Sequence, residues 1–382
     1  RPQVNRNFAA NRDGWVRALN DLGLQFDFVS YDQVKKGQLS KGKYKVFILP
    51  FSMAPSPREV EAITEFAQQG GIVIADAAAG MMDDHCAWQP DGLLNDFFGI
   101  KTVSSEKRKL TGTSTVTTNA DEDVVGENRT AGITGPITVT SEGTSWGLKT
   151  EDLGGLQAVE ADINGSAGKA LVKVGETEAV IVRPAGQGWA IYLNALLDRY
   201  PSLRQENYGG SSYRRLIDVL LAHLNLRPAV EVLSAGGQQL TQAQIVRYGL
   251  GGDQVLAIVK ENIGLEGNTG KDGVTVYGDS RLGKIAKQAI TIHLPERYYV
   301  YDVRSGQDFG NTSIVKTSIT AGGALVLGLS RTQKFVTVTG PSSASLGDHV
   351  RKAVRARKTS GPLSLLRPER IVYAGLPEQH QP

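Results

Sequence analysis

The sequence holds a single cysteine, Cys86, so no intrachain disulfide can form and packing must supply the stability. Histidine is scarce too. The five stand at 85, 223, 293, 349 and 380, and none has metal-ligand spacing with another His or with Cys86. We expect neither a metal site nor a cofactor. His85 and Cys86 are sequence neighbours, an awkward pair for chelating one ion or for Cys–His catalysis. With Asp83 and Asp84 they read as a polar loop carrying one free thiol. A strong charge imbalance is also missing. The net charge is +3, and "HVRKAVRARK" (His349–Lys358) is the one dense basic patch, so nucleic acid is not an expected partner. No apolar run approaches the ~18–20 residues that span a bilayer. No signal-peptide pattern is visible, and Arg1 reads as a processed or trimmed end.

What is plentiful is glycine, 44 residues against three methionines and four tryptophans, which points to many turns and short strands. A length of 382 residues predicts two or three domains. Residues 1 to about 100 alternate helix and strand. Trp15, Ala18, Leu19 and Leu22 recur at helical spacing, with Gly23 as a stop. "QFDFVSY" (25–31) reads as a strand, and "KVFILP" (45–50) as a strand buried on both faces. Ser56-Pro57-Arg58-Glu59 is a capping box with proline at the first helical position. Val60, Ile63, Phe66 and Ala67 give that helix its inner face. Gly70-Gly71 ends it, and "IVIA" follows as the next buried strand. This is βαβ logic, hence a parallel sheet covered by helices.

Residues 101 to about 182 are Thr-rich and β-branched, and we read them as a β-rich insertion of hairpins and loops, set in the first domain or edging it. "GQGWAIYLNALL" (186–197) restores the α/β character, and "SSYRRLIDVLLAHLNL" (211–226) is a helix closed by Arg227-Pro228. From 229 to 331 no helix is expected. "QVLAIVKEN", "GVTVYG", "AITIHLP", "YYVYDVRSGQ", "SIVKTSIT" and "ALVLGLS" are short strands at sandwich spacing. The expected division is an α/β domain over 1–228, a β-sandwich over 229–331, and a partial third β domain with a tail over 332–382.

The stretches "WVRALNDLGLQFDFVSYDQV", "YKVFILPFSMAPSPREVEAITEFAQQGGIVIADAAAGMMDD", "LLNDFFGI" and "GQGWAIYLNALLDRY" fall in a telling order. They resemble the class I glutamine amidotransferase fold, a flavodoxin-like three-layer parallel sheet. In more detail they resemble the trimerisation domain of family 42 glycoside hydrolases, the β-galactosidases. "TIHLPERYYVYDVRSGQDFG" and "GGALVLGLS" resemble the small β domain appended to such hydrolases. The resemblance spans roughly residues 8 to 331. It implies a homo-oligomer, a trimer by preference.

The catalytic carboxylates of the resembling galactosidases lie on a TIM barrel, and this sequence has no run of eight βα units. A glutaminase of this fold would carry a cysteine at the turn after the third strand and a histidine on a late strand. Aligned on Gly80, the cysteine position is Ala78, and the histidine would fall near Asn194. The resemblance thus implies an elbow without catalytic groups, and this chain reads as non-catalytic.

A second polar cluster follows the late strand, at the edge where α/β folds place ligands. Asp198, Arg199, Tyr200, Arg204, Tyr208 and Arg215 are candidates to grip a sugar or an anion, or to form a subunit contact. Trp88, Trp146 and Trp189 are candidates to stack on a sugar ring. Two readings stay open. One is a non-catalytic assembly module, with its elbow pressed on another subunit. The other is a carbohydrate-active or carbohydrate-binding protein with a site built across subunits. Low Met and Cys content and the Thr/Gly-rich insertion favour an extracellular or envelope setting.

Overall fold

A computed structural model of the chain describes residues 2–42, 44–102, 132–204, 210–250, 252–261, 268–269, 275–276, 287–333, 337–339, 353–355, 364–365 and 371–375. They divide into two units, 1–228 with 368–382, and 229–367. Residues 332–382, expected as a separate β domain, are therefore shared between the two.

The first unit opens with helix α1 (Pro2–Asp21), strand β1 (Phe26–Ser30) and the short helices α2 (Tyr31–Lys35) and α3 (Gln38–Lys41). Strand β2 (Val46–Leu49), helix α4 (Pro57–Gln68) and strand β3 (Ile72–Asp76) follow. The α4 start obeys its sequence. Ser56 Oγ accepts the Glu59 N–H at 3.3 Å, and Glu59 Oε2 accepts the Ser56 N–H at 2.7 Å. Beyond β3 come α5 (Asn95–Phe98), β4 (Ile100–Thr102), β5 (Ile137–Val139), α6 (Ser141–Ser145), β6 (Ile163–Gly165), β7 (Lys169–Val174), β8 (Thr177–Ala185) and β9 (Gly188–Leu193). Helices α7 (Tyr200–Leu203) and α8 (Ser211–His223) complete this stretch.

The second unit holds β10 (Glu231–Ser234), β11 (Ala243–Leu250), β12 (Asp253–Lys260), β13 (Asn268–Thr269), β14 (Thr275–Val276), β15 (Gln288–Asp302), β16 (Asp308–Ile319), β17 (Ala324–Ser330), β18 (Thr337–Thr339), β19 (Ala353–Arg355) and β20 (Ser364–Leu365). The last strand, β21 (Ile371–Gly375), belongs to the first unit again.

The main sheet runs β1-β21-β2-β3-β9-β8-β7-β5. Its β1-to-β9 half is parallel, and β8, β7 and β5 extend it antiparallel. Much of the expected insertion thus edges the first domain as a continuation of its sheet; residues 103–131 lie outside the described ones. Alternation along the strands builds three layers. Val46 and Ile48 of β2 join Ile72 and Ile74 of β3 under Trp15 and Leu19 of α1 and Leu216 and Leu220 of α8. Phe47, Leu49, Val73 and Ala75 point the other way, onto Ile63, Phe66 and Ala67 of α4. Gly188, which opens β9, lets that strand approach α4. A Cβ there would stand 1.9 Å from the Gly71 carbonyl oxygen and 2.5 Å from that of Ala67.

In the second unit β10, β15, β17, β12, β11 and β20 form one sheet, with β16 on β15. Two face-to-face sheets were expected. Instead, Val232, Ile245, Leu256, Ile292, Val315 and Leu327, from six strands of the one sheet, share a single buried cluster. The sheet curls to bury its own inner face. The two strands read as "AITIHLP" and "YYVYDVRSGQ" are one, β15, with a register shift between His293 and Tyr298 that accommodates Pro295.

Candidate functional site

Strand β3 ends on Asp76, whose carboxylate is fully buried. Its Oδ2 accepts from Trp15 Nε1 at 2.7 Å and from Asn11 Nδ2, and its Oδ1 accepts the Phe51 N–H. Asn11 in turn accepts the Leu197 N–H at 2.6 Å, so one turn of α1 ties the ends of β3 and β9 together. Burial pushes the Asp76 carboxyl up to about 7 against these three donors, and the Asp198 charge adds slightly to the rise.

The chain then turns through Ala77, Ala78, Ala79 and Gly80. All three alanines have no exposed surface. Ala78 has φ +68° and Gly80 φ +68°. A left-handed alanine is costly, by roughly 1–2 kcal/mol, because its Cβ crowds the following carbonyl. The turn is therefore as sharp as one that lifts a nucleophile off a strand, but a methyl group stands at its apex. The Ala78 N–H meets Glu160 Oε2 at 3.0 Å and the Tyr192 hydroxyl at 3.1 Å, and that hydroxyl donates a very short bond to the same carboxylate oxygen. Glu160 is 1% exposed.

Asn194, aligned in the sequence with a late-strand base, directly follows β9, and its side chain is fully engaged. Oδ1 accepts the N–H of Glu160 at 2.8 Å and of Val159 at 3.3 Å. Nδ2 donates to the carbonyls of Glu160 at 2.8 Å and Glu178 at 3.0 Å. It splices the Val159–Glu160 segment onto the sheet. Nothing at Ala78 or Asn194 can serve as thiolate or imidazole base. Phe8, Phe51, Met81, Val159 and Leu196 cover the elbow, with Met53, Met82 and Trp88 outside them. The three alanines of the elbow are thus buried by side chains of their own chain.

The polar cluster after β9 does not come together as a surface grip. Tyr200 and Arg204 turn inward and are buried. The Tyr200 hydroxyl donates to Asp21 Oδ2 at 2.7 Å, and Arg204 binds both Asp21 oxygens. These two side chains lock α7 to the end of α1, which corrects their assignment as ligand residues. Burial and the Asp21 charge hold the Tyr200 hydroxyl far above the ordinary tyrosine range. Arg199 is half-buried and reaches Gln157 Oε1 at 3.3 Å, beside the half-buried Asp198. Arg215 is exposed and pairs with Asp152 and Asp218. Tyr208 lies outside the described residues.

The aromatic candidates divide. Trp146 is buried, edge-on to the half-buried Trp189 at 5.1 Å and stacked on His223 at 4.1 Å, so its indole is spent on packing. Trp88 stays half-buried, its backbone bridged to Met82. Cys86 is exposed at φ +60° in the tight loop that Asp83 closes, its Oδ1 accepting from His85 N at 3.0 Å and Ala87 N at 2.9 Å. His85 Nδ1 lies 3.0 Å from Asp84 Oδ1. Asp83, Asp84 and His85 gather within 4.8 Å on this loop, mostly exposed to solvent. No helix among the described residues is long and apolar enough to cross a membrane.

Sequence reasoning missed Asp21, Asp76 and Glu160. No local pattern marks them; the partners of their carboxylates lie 25 to 183 positions away.

Residues 1–207 match the family described as the β-galactosidase trimerisation domain. Among solved structures, the β-galactosidase from Bacillus circulans sp. alkalophilus superposes with a TM-score of 0.53 at 16% identity, covering 85% of this chain and 38% of that enzyme. A catalytic mutant of Gan42B, a GH42 β-galactosidase from G. stearothermophilus, gives 0.51 at 16% identity, over 84% and 36%. The β-galactosidase from Rahnella sp. R3 gives 0.51 at 16%, over 83% and 36%. The chain thus spans little more than a third of the enzymes it superposes on, and at such identities the likeness is one of fold. The family match covers over half of the sequence: the chain belongs to the β-galactosidase trimerisation-domain family.

Proposed function

We propose that this chain is a non-catalytic assembly module, and that the assembly is a trimer of identical copies. The observation that carries the non-catalytic half is the elbow. Ala78 keeps the strained geometry of a nucleophile position, without a nucleophile, beneath a closed apolar cover. The order of strands and helices supports a glutamine amidotransferase-like, flavodoxin-like ancestry in which the catalytic pair has been replaced by Ala78 and Asn194. The trimer is supported by the family to which residues 1–207 belong.

A carbohydrate role has narrower support. Trp88 and Trp189 are the two of the three candidate indoles still partly open to solvent, and Trp88, free of the Trp146 contact, is where a sugar ring at a subunit boundary would stack. The test is a pair of assays on the purified oligomer. Glutamine and an aryl-galactoside should both remain unturned. Glutamate release that disappears in Cys86→Ser would overturn the non-catalytic reading.

A further inference from the structure

Strands β1 and β2 flank a gap one strand wide. Neither pairs with the other; both pair with β21. Five rungs join β1 to β21, from Phe26↔Ile371 to Ser30↔Gly375. Three join β2 to it, from Val46↔Ile371 to Ile48↔Tyr373. The walls of this slot are firmly built. All four residues of β2 are buried, and the side chains of Val46 and Phe47 anchor the two opposite layers of the core. Without a strand between them, β1 and β2 would leave facing rows of N–H and C=O groups unpaired inside the sheet.

The strand that fills the slot differs from its neighbours in how it is tethered. β1 leads to β2 through α2 and α3, and β2 leads to β3 through α4. Those crossovers fix their strands in place. β21 has no crossover to either neighbour. It follows β20, which pairs with β11 in the other unit. The backbone ladder that seats such a strand is the same whichever copy supplies it, and exchange of an identical element is a low-cost route to assembly.

We propose that the slot between β1 and β2 is a strand-acceptor site, and that in the assembled protein it takes residues 371–375 of a second copy. The proposal rests on the assembly reading above and supplies its bond. Donation from each copy to the next is a head-to-tail contact, which a three-fold rotation closes into a ring.

The register names the test. Phe28 lies opposite Tyr373 in the ladder, and Phe28 is 54% exposed, so an oxidant can reach a thiol at position 28. The variant Phe28→Cys, Tyr373→Cys is made in a Cys86→Ser background, oxidised, and run on a non-reducing denaturing gel. Its mass before denaturation is measured by light scattering. Cross-linked dimers and trimers, absent from each single-cysteine variant, are the expected result. An oligomer that yields monomer-mass chains only, whether bridged within the chain or not at all, overturns strand exchange and leaves the assembly reading standing. A monomer by light scattering overturns both.

Discussion

Arg204 grips Asp21 at two points, Nε to Oδ2 at 2.8 Å and Nη2 to Oδ1 at 2.6 Å, with both side chains buried. Tyr200 adds its hydroxyl to the same carboxylate. Removing the guanidinium leaves a buried carboxylate short of its cation. Arg204→Ala should lose about 3–5 kcal/mol of stability. The double variant Asp21→Leu, Arg204→Met should lose much less, because no charge stays unpaired. Urea unfolding of the two proteins checks this. Equal losses would show that packing, not charge, carries the contact.

Asn194 presents two acceptances and two donations to fixed backbone groups. Asn194→Asp keeps the shape and turns both donations into repulsions at a fully buried position. A loss of about 3 kcal/mol or more is expected above pH 6. Thermal unfolding reads it, and a loss under 1 kcal/mol would contradict the splice.

Asp76 makes stability depend on pH. Its carboxyl binds a proton more tightly in the folded chain, at about 7, than in the unfolded chain, near 3.8. The contribution is fully present below about pH 4 and is lost as pH rises through about 7. Asp76→Asn lacks this titration, although it faces the Phe51, Asn11 and Trp15 donors with one acceptor group instead of two oxygens. The stability margin of the natural protein over Asp76→Asn should therefore shrink between pH 4 and pH 7. A margin that grows with pH would place the carboxyl below its ordinary range instead.

Ala78 tests the elbow directly. Ala78→Val puts a β-branched side chain at φ +68° in a fully buried turn, and a loss above about 2 kcal/mol is expected. Ala78→Gly removes the left-handed strain and should be close to neutral. Ala78→Cys should release no glutamate from glutamine, since Asn194 offers no base. Activity in that variant would mean that another group reaches the thiol.

The local features were legible. The Ser56–Glu59 capping box, the helical spacing of Trp15, Ala18 and Leu19, and the apolar runs of β2 and β3 each follow from short-range chemistry. What stayed hidden was set by distant partners. Tyr200 and Arg204 looked like surface residues until Asp21, 179 and 183 positions away, was seen to draw them inward. Pro295 looked like the end of a strand, but a register shift carries β15 past it. Ile371–Gly375 read as part of a trailing β domain, because nothing local says that a strand will return to the middle of the first sheet.

The central claim is that this chain assembles. Light scattering coupled to gel filtration, across a range of working concentrations, tests it most directly. A mass three times that of the chain is the predicted result. A monomer at every concentration would contradict it.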